Sequence, residues 1–187
     1  MAMQVRFGSD ARIVFFVLII RAATAGFAQQ PEDVSLPRGF SDVRLGMNLS
    51  DVKTALERDM NFDYRGDPDV SLTPSSLQPV IETAGFRFID RGFFQFHDDS
   101  LYIITLRLNA AQIDHYTMFQ RLSDQYGPPS DITPQRITWQ DEEVRLVLEK
   151  PVVVKYIDRT VFEQLKEEAG REQAFSTLSR SIFLDQF

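Results

Sequence analysis

Apolar side chains recur at helical spacing in three segments of this chain, near residues 49–58, 114–126 and 160–169. Asn48 precedes the first segment and is a favourable N-cap, while Gly127 and the two prolines after it end the second. The third segment would begin with a capping box formed by Thr160 and Glu163 and would be interrupted at Gly170. The pattern therefore predicts three short amphipathic helices.

Alternation of apolar and polar residues predicts strands between these helices. One run begins at Phe86 and continues to Leu108, with a hairpin turn at 97–100. Further alternating runs follow, at residues 137–139, 144–148 and 152–156. Residues 62–80 are rich in Gly, Pro, Asp and Ser, which predicts a loop with at most one short strand.

The order of these elements indicates the fold class. Because the strands come in consecutive runs, we expect an α+β domain, an antiparallel sheet with short helices packed on one face. Val52 and Leu56 match Met118 and Leu122 at an offset of 66 residues (118 − 52), which is compatible with two tandem helix-plus-hairpin units. The single tryptophan, Trp139, is in phase with Ile137 and should be buried.

Residues 1–28 have the features of a secretory signal peptide. Arg6 and Arg12 precede the apolar run Ile13–Ile20, and small residues lead to cleavage sites after Ala28 or after Ala25. The run is shorter than the roughly 20 apolar residues that a membrane-spanning helix needs. We therefore expect an exported protein that is periplasmic or secreted after cleavage.

The remaining chain is expected to form one domain. The proline-containing polar segment 29–39 predicts a flexible lead-in, residues 40–170 a single α+β domain, and residues 171–187 a C-terminal helical tail. No segment after the leader is apolar enough to span a membrane.

Composition narrows the possible partners. The net charge is −7 with no basic run, so binding to nucleic acid is not expected, because the phosphates would be repelled. The chain contains no cysteine, which excludes disulfides, thiolate chemistry and a lipid anchor on cysteine.

Two segments carry a resemblance to a known family. The segment from Leu45 to Leu56, with its Gly-Met pair and capped short helix, resembles the opening motif of the SmpA/OmlA (BamE-like) family. Tyr126-Gly127-Pro128-Pro129 followed by Trp139 is similar to what comes after the helix in those proteins. Two such units also resemble the β-lactamase-inhibitor-protein fold. The resemblance implies a non-enzymatic protein-binding module of the cell envelope, although members anchored through an N-terminal cysteine differ from this chain.

The sequence contains few candidates for catalytic residues. His97 lies in a predicted turn and His115 at a predicted helix start, without the spacing of a metal site, so turn and cap roles are favoured. Nucleophile elbows and phosphate-binding glycine loops are absent from the sequence. We therefore expect no catalytic residues, no metal and no cofactor.

The more informative feature is the second face of the predicted sheet. If the apolar positions of each strand face the helices, their neighbours must point away from the helices together. The candidate partner-binding residues on that second face are Phe93, Gln95, Arg107, Arg145 and Lys155. Arginine and aromatic side chains are frequent anchors of interfaces. The alternative is an ordinary solvated sheet face with cross-strand ion pairs.

The sequence thus predicts an exported, soluble module that binds another envelope protein as a scaffold or an inhibitor. The alternative function is an envelope hydrolase or a small-ligand carrier, which would require a polar pocket that the sequence does not reveal.

Overall fold

A computed structural model describes residues 35–72 and 78–184 of the 187-residue chain. The predicted signal peptide and both cleavage sites lie outside the described residues. Among the helices described, none combines the length and the apolar character needed to cross a membrane.

The described chain contains three α-helices and eleven short or medium strands. The helices are α1 (Leu49–Arg58), α2 (His115–Tyr126) and α3 (Arg159–Leu184), and one 3-10 turn covers Asp67–Asp69. The strands are β1 (Gly39–Phe40), β2 (Val43–Arg44), β3 (Phe62–Asp63), β4 (Val70–Leu72), β5 (Pro79–Gly85), β6 (Ile89–His97), β7 (Ser100–Leu108), β8 (Asp131–Ile132), β9 (Arg136–Gln140), β10 (Val144–Glu149) and β11 (Val153–Asp158).

One antiparallel sheet organises the fold. Its strand order is β3-β5-β6-β7-β11-β10-β9-β8, with β4 also paired to β5, while β1 and β2 form a separate two-stranded ribbon. The meander β5-β6-β7 and the meander β9-β10-β11 therefore meet through their last strands, β7 and β11. A helix precedes each meander in the chain.

Helices α1 and α2 cover one face of this sheet, which we call the core face. Val52, Leu56 and Leu122 of these helices pack into the same buried cluster as Phe94 and Leu146 of the sheet. The predicted α+β class and antiparallel sheet are confirmed. Trp139 is also buried as predicted, and its indole N–H donates to the carbonyl of Gly127 at 2.9 Å.

The first two helix starts follow the sequence signals. The Asn48 side chain accepts a hydrogen bond from the Asp51 N–H at 2.8 Å, and Asp114 does the same for Thr117 at 2.9 Å. Gly127 ends α2 with a φ of 78°, a backbone region that favours glycine.

The third helix differs from the prediction in three respects. It begins one residue earlier, at Arg159, and the carboxylate of Asp158 rather than Thr160 accepts the Val161 N–H, at 3.1 Å. It also passes through Gly170 without interruption, because an exposed glycine weakens a helix by only about 1 kcal/mol. Its first turns contact the opposite face of the sheet from α1 and α2, as the contacts of Phe162 with the sheet make clear.

Strand boundaries account for other differences. Phe86 and Phe88 lie in the turn between β5 and β6 and are half-exposed, so they are not part of a strand. A register shift near Gln95 leaves Tyr102 without a strand partner, and Leu101 is buried where Tyr102 was expected. The prediction of a loop with at most one short strand over residues 62–80 was wrong, because this segment contains β3, β4 and the start of β5. Strand β5 was not predicted, since only two of its seven residues are buried.

The lead-in predicted to be flexible is attached to the sheet from Leu36 onward. Leu36 is buried, and its N–H donates to the carboxylate of Asp141 at 2.7 Å. Arg38 forms ion pairs with Glu143 and Asp158. Leu36 lies in a short, proline-containing segment that is too brief to show a periodic pattern, so the sequence gives no sign of this contact.

Candidate functional site

The candidate site is the sheet face opposite α1 and α2, which we call the open face. The odd positions of β11, those of β7 from Ile103 onward, and their cross-strand partners build it, because strand residues alternate between faces. Strand pairing arranges these side chains in rows, of which one runs Glu82, Phe93, Thr105, Lys155, Val147 and Thr138. The alternation of the sequence thus places charged, polar and apolar groups side by side on this face.

A concavity of about 470 Å³ lies on the open face. Phe162 in the first turn of α3 lines it together with strand residues, so the helix contributes one wall. The strand residues that line it are Gln95, Ile103, Thr105, Arg136, Thr138, Gln140, Arg145, Val147, Glu149, Lys155 and Ile157. A volume of this size is within the roughly 300–1,000 Å³ that small-molecule sites occupy.

Arg145 is held by three neighbours at the α3 end of the concavity. Its guanidinium donates to Glu163 at 3.1 Å and to Gln140 at 3.0 Å, and it lies 5.5 Å from the ring centroid of Phe162. Hydrogen bonds from Arg145 and Lys166 hold the pKa of Glu163 below its usual value, so this carboxylate is charged at neutral pH. The arrangement attaches α3 to the sheet.

Lys155 is also paired within the protein. Its ammonium lies 2.7 Å from the carboxylate of Glu149, and both side chains are about one-third exposed. An ion pair at this exposure contributes only about 0–1 kcal/mol to stability. The pair therefore fills the floor of the concavity with charges that largely cancel.

Arg107 and Arg136 are the two arginines of the open face that pair with no carboxylate among the described residues. Arg107 is exposed and lies 5.9 Å above the ring centroid of Phe93. Arg136 is exposed at the edge of the concavity. Arg91, by contrast, forms an ion pair with Glu82 on the same face.

All five candidate residues from the sequence lie on the open face. Phe93, Gln95 and Lys155 are half-buried, Arg145 is tied to α3, and Arg107 alone is exposed. The sequence analysis missed Arg136, although Ile137 and Trp139 in phase on the core face imply that Arg136 points the other way. It also missed Phe162 and Glu163, because helix periodicity does not tell which sheet face a helix contacts.

The two histidines lie in different elements. His97 in β6 is 3.5 Å from Asp98, and its ring packs edge-on against Tyr102. Burial first, and then the Lys150 charge, lower the pKa of His115 at the start of α2, with Asp114 opposing this effect. Within the part of the chain that the structure describes, no three His, Cys, Asp or Glu side chains are arranged to hold a metal ion.

Fold and site together define an α+β domain whose antiparallel sheet packs against α1 and α2 on one face and carries a concavity, bordered by the start of α3, on the other. The TP0088 domain family model matches residues 38–168, and the chain belongs to this family. That match includes the whole sheet and the first turns of α3. Neither a curated protein nor a solved structure matches the chain.

Proposed function

We propose that this chain is an exported, non-enzymatic module that binds another protein of the cell envelope through its open face. Binding would serve a scaffold or an inhibitor equally well. The observation that carries the proposal is a pair of exposed arginines on this face, Arg107 and Arg136, neither of which forms an ion pair with a described carboxylate. The strands place five basic and four acidic side chains on the face, so these two arginines are the basic groups left without a carboxylate partner among the described residues. The basic residues are Arg91, Arg107, Arg136, Arg145 and Lys155, and the acidic residues are Asp63, Glu82, Asp131 and Glu149.

The proposal of export rests on the sequence of residues 1–28, with its basic start, apolar run and small residues before Ala28. The resemblance of the segment from Leu45 to Leu56 to the SmpA/OmlA family also supports the proposal of an envelope location. Intact-mass measurement of protein recovered from the envelope should give a chain that begins at Gln29 or at Gly26. A full-length mass in the soluble fraction would contradict export.

The carboxyl groups with a perturbed pKa all have structural partners, which is compatible with the proposed non-enzymatic role. In the described residues, the carboxyl groups with a shifted pKa are Asp69, Asp114, Asp141 and Glu163, and every one is lowered. A general acid that works near neutral pH requires a raised carboxyl pKa instead. These groups cap turns and helices or form ion pairs.

The test is capture of partners from an envelope extract with wild type and with the Arg107→Glu, Arg136→Glu double variant. The captured protein is identified by mass spectrometry, purified and titrated against both forms. We expect the double variant to bind at least about tenfold more weakly and with less dependence on salt. Arg121→Glu, on the exposed side of α2, is the matched control and should bind like wild type. Equal binding by the double variant would refute the open face as the binding site.

A small-ligand carrier is the second candidate, because the volume of the concavity suits a small molecule. Titration calorimetry against a panel of small amphipathic carboxylates distinguishes the two functions. Tight binding that Thr138→Trp abolishes, while the envelope partner still binds, would favour the carrier.

A further inference from the structure

The two unpaired arginines of the open face lie in one row of the sheet. Strand pairing places Arg107 opposite Val153, Val153 opposite Glu149, and Glu149 opposite Arg136. Three strand spacings therefore separate the two arginines. At about 4.8 Å per spacing, their backbone positions are about 14 Å apart across the sheet.

An extended peptide reproduces this distance over four residues. A strand rises about 3.4 Å per residue, so side chains at positions i and i+4 are about 14 Å apart and point to the same side. Carboxylates at these two positions could each meet one guanidinium, which has donors arranged to match a carboxylate. The side chain at i+2 would lie over the middle of the row, where Val153 is half-buried.

The charged residues between Arg107 and Arg136 do not repel such a peptide. Glu149 is the acidic member of the row, and the ammonium of Lys155, 2.7 Å from its carboxylate, neutralises it. Phe93 beneath Arg107 provides apolar surface at that end of the row. The row thus presents cation, apolar surface, neutralised pair and cation in succession.

From this spacing we infer that the partner contributes an extended acidic segment that lies across the strands, with two carboxylates four residues apart and an apolar residue midway. The inference rests on the proposed function, since it names the partner's chemistry at the same face. It also requires a fixed spacing between the two carboxylates of the partner, which the proposed function by itself does not require.

The probe is a fluorescein-labelled synthetic peptide with glutamates at its third and seventh positions, valine at the fifth, and serine or threonine elsewhere. Two controls have the same composition, with the glutamates moved to adjacent same-side positions or to opposite sides. Fluorescence anisotropy at low salt should show the probe binding about fivefold more tightly than either control, the contribution of one well-placed exposed charge pair.

Protein variants locate the contact. Arg107→Gln and Arg136→Gln should each reduce probe binding to the level of the control peptides, whereas Arg121→Gln should bind like wild type. Equal affinity for all three peptides would overturn the spacing, and the proposed function would stand if the envelope partner still requires the open face. If none of the three peptides binds, but the Arg107→Glu, Arg136→Glu double variant still loses the envelope partner, only the inference of an acidic segment is overturned. Failure in both assays would overturn the proposed function as well.

Discussion

Two neighbouring residues, Phe93 and Phe94, display the difference between the faces of the sheet. Phe94 is fully buried and packs edge-on against Phe62 with 5.6 Å between ring centroids. Gly92 makes this possible, because a Cβ there would lie 2.8 Å from the Phe62 ring. Phe93 points the other way and lies under Arg107. One step along a strand thus separates a side chain in the core from one that lies half-buried on the open face.

Buried and exposed charges also differ in their partners. Two carboxylates of the described residues are buried, Asp59 and Asp69, and Asp69 accepts hydrogen bonds from the backbone and side chain of Arg65. On the open face, ion pairs are partly exposed, and Arg107 and Arg136 lack carboxylate partners among the described residues. Residual charge can be left unmatched where water can solvate it, and this is the property that a binding surface requires.

The largest expected loss of stability comes from removing a buried aromatic ring on the core face. Phe94→Ala should lower the free energy of unfolding by about 3–5 kcal/mol, because it removes a buried ring and leaves a cavity. Phe93→Ala, the matched control, should lower it by less than about 1 kcal/mol, since that ring is only half-buried. Urea unfolding followed by circular dichroism measures both, and equal losses would contradict the assignment of the two faces.

Asp69 should give the next largest effect, and one that depends on pH. Asp69→Asn should destabilise by about 1–3 kcal/mol at pH 7, since it weakens charge-assisted hydrogen bonds to a buried group. Burial alone would raise the pKa of Asp69, but hydrogen bonds from Arg65 and Thr83, together with the Arg65 charge, lower it. A lowered folded-state pKa contributes stability that is present above the unfolded value, about 3.9, and is lost as the pH falls through the folded value.

The difference in unfolding free energy between wild type and Asp69→Asn should therefore narrow below about pH 4. Urea titrations between pH 7 and pH 3 measure it. A difference that stays constant over this range would show that the Asp69 carboxylate gains nothing from its partners. Glu82→Gln, which removes an exposed carboxylate from the open face, serves as the control.

A substitution at Trp139, also on the core face, should cause a smaller loss of stability. Trp139→Phe retains an aromatic ring but removes the donor to the Gly127 carbonyl, so we expect a loss of about 1–2 kcal/mol from one hydrogen bond and a modest cavity. Thermal unfolding together with hydrogen exchange at the C-terminus of α2 measures this. An unchanged melting temperature would show that the indole N–H contributes little.

The core face was largely predictable from sequence, since alternation and helical spacing identify positions such as Phe94, Leu146 and Leu56 by local pattern. What sequence could not supply depends on tertiary contacts. The contact of α3 with the open face depends on the pairing of Arg145 with Glu163, eighteen residues away in the chain. The bulge that leaves Tyr102 without a strand partner depends on the register between two strands, which alternation alone does not fix.

The candidate site was predictable in part for the same reason. Parity correctly grouped Phe93, Arg107, Arg145 and Lys155 on one face, because one rule of strand geometry governs them all. Which of these cations is free could not be predicted, since Glu149 and Glu163 are acidic residues whose distances to Lys155 and Arg145 follow only from the folded chain.

The smallest effects separate free from paired arginines within the open face. Arg107→Gln and Arg136→Gln should change the free energy of unfolding by less than about 0.5 kcal/mol, because neither guanidinium forms an ion pair with a described residue and the contact of the exposed Arg107 with the Phe93 ring is long, at 5.9 Å. Arg145→Gln should cost more, about 0.5–1 kcal/mol, since it removes a hydrogen bond to Glu163 and the contact with the Phe162 ring. Hydrogen exchange in the first turns of α3 should also become faster in Arg145→Gln and stay unchanged in the other two variants. If Arg107→Gln or Arg136→Gln destabilised the protein as much as Arg145→Gln, these two arginines would stabilise the fold. The proposal that they are free to bind an acidic partner would then be contradicted.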